Sequence, residues 1–124
     1  MLETTQNKEE KQITLDLGPL SDVIKRDGER IAFDANRIAQ AITKAGEATT
    51  EFGSDEAWLL TQQVVKVLKY RFSDTVAPSI EQIQDVVEQV LISSNYYKTA
   101  RAYIVYREQR EKARKDKQAV VDAI

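Results

Sequence analysis

Four segments with apolar residues every three or four positions, separated by short polar breaks, constrain the fold of this chain most strongly. Such spacing gives each helix one apolar stripe, and helices joined by short connections pack as antiparallel neighbours in a bundle. Two β-rich runs precede the four segments. The pattern predicts an α+β fold that is mainly α, a four-helix bundle capped by a small β-hairpin or a three-stranded sheet.

The first predicted helix covers about residues 35 to 48, because Asp34 can cap its first turn and Gly46 weakens the pattern near its end. Its apolar residues are Ile38, Ala41, Ile42 and Ala45.

The second predicted helix covers about residues 55 to 72, with Ser54 as the candidate N-cap and Asp55 and Glu56 in the first turn, where they complement the helix dipole. Its expected core stripe consists of Trp58, Thr61, Val65, Leu68 and Phe72, widened by Val64 and Val67.

The third predicted helix follows Pro78 and runs to about residue 93, because Ser79 and Gln82 have the spacing of a capping box. Its expected buried face is Ile80, Ile83, Val86, Val87, Val90 and Leu91.

The fourth predicted helix has Tyr97, Ala100, Tyr103, Ile104 and Tyr106 on its apolar side. It continues as a solvated stem, REQREKARKDK, in which Glu108 and Lys112, and Glu111 and Lys115, have the spacing of favourable ion pairs.

The two ends of the chain lie outside this foldable part. We expect residues 1 to 20 to form a partly disordered N-terminal arm, in which ITLDL (13 to 17) has the alternation of a short strand. We expect residues 113 to 124 to begin a linker to a further domain. Since the chain ends on the apolar run AVVDAI, we expect it to be a fragment of a longer protein.

The stretch VIKRDGERIAFD, residues 23 to 34, predicts a hairpin around Asp27 and Gly28, a pair that suits a two-residue type I′ turn. With that turn, Arg26 lies opposite Glu29 and Lys25 lies opposite Arg30. The predicted pairing therefore sets two cations side by side on one face of the sheet.

Two cations in that arrangement repel each other, and a phosphate between them would convert the repulsion into attraction. The free N–H groups at the start of the next helix, with Arg37 in its first turn, also favour an anion. The alternative interpretation is that Lys25 and Arg30 are solvated edge charges that prevent aggregation. The hairpin alone leaves both interpretations open.

The amino-acid composition argues against several classes of function. The 124 residues include no cysteine and no histidine, so we expect no thiol nucleophile, no imidazole base and no catalysis by this chain alone. The net charge is −2, so an anion site must come from local clustering. The chain contains neither a P-loop nor a Rossmann glycine motif. Without a secretory signal or a long apolar run, it is expected to be cytoplasmic.

Residues 21 to 112 resemble the ATP-cone, a nucleotide-binding domain found at the N-terminus of many ribonucleotide reductase large subunits. The resemblance rests on VIKRDGERIAFDANRIAQAI, on PSIEQIQDVVEQVL and on YYKTARAYIVYREQR, in that order. The last of these resembles the anaerobic, glycyl-radical class most. A related repressor carries a four-cysteine zinc ribbon, and the absence of cysteine argues against it.

The resemblance implies a lid of strands over a helical bundle that binds ATP as activator and dATP as inhibitor, with Mg²⁺, and so controls deoxyribonucleotide synthesis. Lys25 and Arg26 match the phosphate-binding pair of the family. Gln84 stands where some members have histidine, and Glu29 either orients Arg26 or balances its charge. The candidate nucleotide-binding residues are Val23, Ile24, Lys25, Arg26, Glu29, Arg30, Ile31, Phe33, Arg37, Ile38, Ile83, Gln84 and Lys98.

The partners implied by the resemblance are adenine nucleotides, the catalytic body of the reductase and, when dATP is bound, other ATP-cones. Two other readings stay open, a nucleic-acid-binding module with steep salt dependence and a purely structural helical assembly module. The tyrosines of the fourth segment could stack on bases, but aromatic residues at helical spacing are more often core or interface.

Overall fold

A computed structural model describes residues 20 to 123 of the chain. Over these residues a two-stranded antiparallel sheet precedes four helices, which confirms the predicted fold class. The strands are β1 (Asp22–Ile24) and β2 (Arg30–Ala32), and the helices are α1 (Ala35–Thr49), α2 (Ser54–Arg71), α3 (Ile80–Ser93) and α4 (Tyr97–Ala123). The predicted arm, except for Leu20, and the predicted strand at residues 13 to 17 lie outside the described residues.

The helices form a closed bundle, in which α1 packs on α2, α2 on α3, α3 on α4, and α4 on α1. The core lies between them, and its largest fully buried aliphatic side chains are Ile42, Leu60, Val64, Leu68, Val86, Val87 and Leu91. Within residues 20 to 123, no helix has the length and apolar character needed to span a membrane.

Helix α1 begins as predicted, because the Asp34 carboxylate accepts a hydrogen bond from the Asn36 N–H at 2.9 Å. The helix passes through Gly46 and ends at Thr49, and its C-cap residue Thr50 adopts a left-handed conformation with φ of 60°. Gly46 is buried against the ring of Phe52, so the glycine provides space for this ring and does not end the helix.

Two of the predictions for helix α2 are wrong. Gly53 occupies the N-cap position, so the prediction of Ser54 as the cap is wrong. The prediction of Trp58 as a core residue is also wrong, since it is 45% exposed, and the buried stripe runs through its neighbours Ala57, Leu60, Thr61, Val64 and Leu68. The stripe keeps the predicted Thr61, Val64 and Leu68 but is rotated toward Ala57 and Leu60, away from Trp58.

Helix α3 begins at the predicted capping box: Ser79 Oγ accepts from Gln82 N at 3.1 Å, and Gln82 Oε1 accepts from Ser79 N at 2.9 Å. Its buried face contains Ile83, Val86, Val87, Val90 and Leu91, as predicted.

Helix α4 buries Ala100 and Tyr103, as predicted, but Tyr97 and Tyr106 are 61% and 55% exposed, so their assignment to the apolar side is wrong. The helix turns only a narrow face toward α1 and α3.

The α4 stem contains one of the two predicted ion pairs. Lys115 Nζ lies 3.4 Å from Glu111 Oε2, as predicted. Lys112 pairs with Asp116 at 3.0 Å, so its predicted pairing with Glu108 is wrong.

The hairpin has a different register from the predicted one. Val23 pairs with Ile31 and Ile24 with Arg30. Lys25 continues the ladder, donating its N–H to the Glu29 carbonyl at 2.8 Å. The predicted pairings of Lys25 with Arg30 and of Arg26 with Glu29 are therefore wrong by one residue.

The loop of the hairpin explains this shift. Three residues, Arg26 to Gly28, lie between the hydrogen-bonded Lys25 and Glu29, and Gly28 N donates to the Lys25 carbonyl at 2.9 Å. Gly28 has φ of 91°, whereas Asp27 has no positive φ, so the turn is not type I′. The Asp27 carboxylate accepts instead from the Glu29 N–H at 2.9 Å, which stabilises the longer loop.

The hairpin is attached to the connection between α2 and α3. Ile24 N donates to the Pro78 carbonyl at 2.9 Å, and Arg30 Nη2 donates to the Asp74 carbonyl at 2.8 Å. Ser21 N donates to Asp74 Oδ1 at 2.9 Å. These bonds hold the face that carries Val23 and Ile31 against the helices, where both side chains pack on the core.

Candidate functional site

A cavity of about 210 Å³ lies beneath the hairpin, between the first turns of α1 and α3. Val23 and Ile31 line it from the hairpin, since paired residues of an antiparallel sheet point to the same face. The other lining residues are Ala32, Phe33, Asp34, Arg37, Ile38, Ala41, Ile80, Ile83, Gln84, Val87 and Tyr103. Most of this wall is apolar, so the cavity suits a ligand group with apolar surface.

Two helix N-termini border the cavity. Asp34 caps α1 and Ile80 is the first residue of α3, and both residues line the wall. The aligned peptide dipoles give each helix start a partial positive charge, which favours an anionic group nearby. The positive end of α1 is partly compensated by the Asp34 carboxylate, and that of α3 by Glu81 in its first turn.

Tyr103 of α4 closes the inner side of the cavity. The Tyr103 hydroxyl is protonated at neutral pH, like that of any tyrosine, and burial raises its pKa further, to about 12, so it can both donate and accept a hydrogen bond. Gln84 of α3 adds an amide with the same double capacity. Together with the charged Asp34 and Arg37, these two side chains give a largely apolar wall the means to recognise a polar edge of a ligand.

The cavity brings together seven of the thirteen predicted site residues. They are Val23, Ile31, Phe33, Arg37, Ile38, Ile83 and Gln84. They come from the hairpin, α1 and α3, so the fold joins segments that are about fifty residues apart in the chain.

Two of the three hairpin cations, Lys25 and Arg26, lie near the cavity but outside its wall. Lys25 follows Val23 by two residues and so lies on the same face of the ribbon, where its Nζ is 3.2 Å from Glu29 Oε1. Arg26, in the loop, extends to α3, with Nε 2.6 Å from Glu81 Oε2.

Three other predicted residues point elsewhere. Ile24 and Arg30 pair on the opposite face of the hairpin, where Arg30 Nε lies 3.3 Å from Asp22 Oδ2. Lys98 lies in the first turn of α4, in a separate surface groove beside Tyr97.

The first turn of α4 lies beside the C-terminal end of α1, whereas the cavity lies at the N-terminal end of α1. Glu51, just beyond α1, accepts hydrogen bonds from Thr99 N at 2.8 Å and Thr99 Oγ1 at 2.6 Å, and these bonds lower the pKa of Glu51. Lys98 therefore lies about one helix length from the cavity.

A polar groove of about 290 Å³ adjoins the cavity and shares Gln84 with it. Three arginines line the groove, Arg26, Arg107 and Arg114, together with four glutamates, Glu81, Glu88, Glu108 and Glu111. Arg107 Nη1 bonds to Glu88 and lies 3.0 Å from Asp85 Oδ1. Burial opposes the charge of Arg107, but these carboxylates outweigh it and raise its pKa.

Sequence reasoning missed Arg107 and Arg114 as groove residues, and Tyr103 as part of the cavity wall. Tyr103 was expected in the core, and its position at the edge of the core carries it into the cavity. The arginines stand in a run of alternating charges, where no signal separates a groove residue from a solvated one.

The combined site joins a largely apolar cavity to a polar groove, with Gln84 at the junction, and the three arginines of the groove are potential ligands for an anion. Guanidinium groups bind phosphate oxygens in pairs. Residues 20 to 123 contain no group of three or more His, Cys, Asp or Glu side chains arranged to hold a metal ion.

Comparison with known proteins identifies similar sequences. The family described as ATP cone domain matches residues 21–112. A vitamin B12-dependent ribonucleoside-diphosphate reductase of Thermoplasma acidophilum is 38% identical over 104 residues, which cover 80% of this chain and 13% of the relative. An anaerobic ribonucleoside-triphosphate reductase of Haemophilus influenzae is 39% identical over 104 residues, 82% of this chain and 14% of the relative.

A third relative, a ribonucleoside-diphosphate reductase subunit alpha of Chlamydia muridarum, is 39% identical over 100 residues, which cover 74% of this chain and 10% of the relative. The matched part of the chain thus spans only 10% to 14% of these three relatives. They carry the names of three kinds of reductase, so the similarity does not distinguish between them.

Proposed function

The chain belongs to the ATP-cone family, which matches residues 21–112, and from this premise we propose that it binds ATP and dATP beneath the hairpin. ATP cones are nucleotide-binding regulatory domains of ribonucleotide reductases. In this proposal ATP activates and dATP inhibits the reductase of which the chain forms a part. The observation that carries the proposal is that a largely apolar cavity and a polar groove containing three arginines share Gln84 in their walls.

The adenine base occupies the cavity in this proposal. Its two faces pack on aliphatic side chains from α1 and α3, such as Ile38 and Ile83, and the hairpin residues Val23 and Ile31 cover it. The Gln84 amide, the Tyr103 hydroxyl and the side chains of Asp34 and Arg37 are the polar groups available to the base or the ribose. Burial of the flat apolar surface supplies affinity, and these hydrogen bonds supply specificity.

The triphosphate extends toward Lys25 and Arg26. Lys25 lies on the cavity side of the ribbon, and Arg26 lines the groove next to Gln84. Both cations are partly exposed, at 40% and 38% of their side-chain surface, and so remain accessible to a ligand. A Mg²⁺ ion would accompany the phosphates and neutralise part of their charge.

Regulation requires that ATP and dATP stabilise different arrangements of the domain, because a ligand shifts an equilibrium only through a difference in affinity for the two states. The two nucleotides compete for the same cavity in this proposal. The readout is association between cones, or between the cone and the body of the reductase, when dATP is bound. The chain acts as a regulator, and no catalytic residue is assigned to it.

Isothermal titration calorimetry on the 124-residue chain tests the binding proposal with ATP, dATP, GTP and CTP. We expect saturable binding of ATP and dATP, with weaker binding of the other two, since the cavity recognises the adenine edge. Equal affinity for all four, or binding only to DNA with a steep dependence on salt, would contradict the proposal and favour a nucleic-acid-binding module.

Two variants, each with phenylalanine in place of an alanine of α1, test where the ligand binds. Ala41 and Ala48 lie on the same face of α1, but Ala41 lines the cavity, whereas Ala48 lines only the outer groove between α1 and α4. Ala41→Phe should abolish ATP binding by filling the cavity, and Ala48→Phe should leave it unchanged. Circular dichroism establishes that both variants are folded. If folded Ala41→Phe bound ATP normally, the ligand would lie elsewhere.

A further inference from the structure

Each of the three cations of the hairpin has a carboxylate partner, but one pair differs from the others. Lys25 pairs with Glu29, and Arg30 pairs with Asp22, so both pairs lie within the hairpin itself. Arg26 is instead held by Glu81 of α3, with Nε 2.6 Å from Oε2. This ion pair joins the hairpin to the bundle at the entrance to the polar groove.

The backbone brings the two side chains together. Ile24 N donates to the Pro78 carbonyl at 2.9 Å, and Ile24 forms a parallel bridge with Ser79. Two residues further along each segment, Arg26 and Glu81 therefore meet. Glu81 also lies in the first turn of α3, where the positive end of the helix dipole stabilises a carboxylate.

We propose that Glu81 is a positioning residue that limits the affinity of the site for nucleoside triphosphates, by holding the guanidinium of Arg26 that a phosphate must take over. The inference rests on the proposed function, because it assumes that phosphates reach the groove beside Gln84. Binding is then an exchange in which a phosphate replaces a carboxylate on Arg26.

The exposure of the pair makes this exchange feasible. The side chains of Arg26 and Glu81 are 38% and 45% exposed, and exposed ion pairs are weak because water and salt screen them. A phosphate carries more charge than a carboxylate and binds a guanidinium through two oxygens, so it can displace Glu81. The displaced carboxylate returns to water at small cost.

The proposal predicts that Glu81→Gln tightens ATP binding by about two- to fivefold at low salt, the factor that corresponds to an exposed ion pair. The gain should shrink at high salt because screening weakens the competing pair. Adenosine has no phosphate, so its affinity should be the same in wild type and Glu81→Gln. The measurement is calorimetry of the full chain with ATP and with adenosine.

Two further variants separate this mechanism from a general charge effect. Glu47→Gln removes one negative charge on the exposed side of α1, at a residue that lines neither cavity nor groove, and should leave ATP affinity unchanged. In an Arg26→Gln background, Glu81→Gln should no longer tighten binding. A gain that persists without Arg26 would show direct repulsion between Glu81 and the phosphates and would overturn the proposal.

The possible outcomes show whether the proposed function fails or only the role of Glu81 fails. If wild type binds neither ATP nor dATP, the proposed function and this inference both fail. If wild type binds ATP and Glu81→Gln binds it with the same affinity, only the role of Glu81 fails. Thermal unfolding of each variant verifies that the fold is intact.

Discussion

The register of the hairpin separates two cations that the sequence pattern sets side by side, and this separation can be tested by removing each charge in turn. Lys25 lies on the ribbon face that carries Val23 and covers the cavity. Arg30 lies on the opposite face, where it bonds to Asp22 and to the Asp74 carbonyl. Lys25→Ala should therefore weaken ATP binding, whereas Arg30→Ala should not.

The expected magnitude follows from the contacts that each cation already makes. A hydrogen bond to a charged group contributes about 1.5–3 kcal/mol, and Lys25 must give up its exposed pair with Glu29, worth up to about 1 kcal/mol. The net loss in Lys25→Ala is about 1–2 kcal/mol, or about a five- to thirtyfold higher Kd for ATP. For Arg30→Ala we expect a change of less than about twofold, because its guanidinium is engaged away from the cavity.

Calorimetric titration of ATP and AMP into both variants measures the effect. AMP has a single phosphate, so the Lys25→Ala penalty should be smaller for AMP than for ATP if the lysine contacts the outer phosphates. The two variants carry the same net charge, which removes the general electrostatic contribution from the comparison. A larger loss in Arg30→Ala than in Lys25→Ala would refute the assignment of the binding face.

Three predictions concern stability. Gly46→Ala should lower the free energy of unfolding by about 1 kcal/mol, because a Cβ there would clash with the Phe52 ring and overpacking costs more than the gain in helix propensity. Chemical denaturation measures the change in the free energy of unfolding, and a stabilised variant would contradict the prediction. Leu60→Ala should cost about 2–5 kcal/mol and Trp58→Ala less than about 1 kcal/mol, since Leu60 is 1% and Trp58 is 45% exposed; equal losses in denaturation would contradict the observed orientation of α2. Burial raises the pKa of Tyr103 to about 12, above its value of about 10 in the unfolded chain. The contribution of the protonated hydroxyl to stability is therefore complete below about pH 10 and is lost as pH rises toward about 12. The free energy of unfolding of Tyr103→Phe should fall less steeply over this range than that of the wild type, and identical pH profiles would contradict the burial of the hydroxyl.

The sequence predicted the helices well because their signals are local. The caps at Asp34 and Ser79 and the apolar spacing of α3 depend only on neighbouring residues, and the structure has them as predicted. The rotation of α2 was not predictable in this way. A large Trp58 and a small Ala57 differ by about 100° around the helix, and only packing against α1 and α3 decides which one is buried.

The hairpin shows the same limit at a smaller scale. The Asp27-Gly28 pair predicted a tight turn, but a two-residue and a three-residue loop differ only in the conformation of Asp27 and in one side-chain hydrogen bond. That small local difference shifts the pairing between the two strands by one residue and so changes which side chains lie on the same face. The position of Lys25 and Arg30 relative to the cavity follows from it.

The residues alone indicated an anion site only from Lys25, Arg30, Arg37 and the start of α1. The cavity residues Val23, Ile31 and Ile38, all within sixteen residues of the chain, were expected through the resemblance to ATP-cones, as were Ile83 and Gln84 of α3. From α4 only Lys98 was expected, and Tyr103 and Arg107 were missed because they face the site only after the bundle has closed.

Nuclear Overhauser effects between bound ATP and the methyl groups of the protein test the central claim most directly, because they report which side chains surround the base. With ATP on the full chain, the adenine H2 and H8 protons should show effects to the methyl groups of Val23, Ile38 and Ile83, which line the cavity. Effects confined to methyl groups away from the cavity, such as those of the exposed Ile92, would contradict the account.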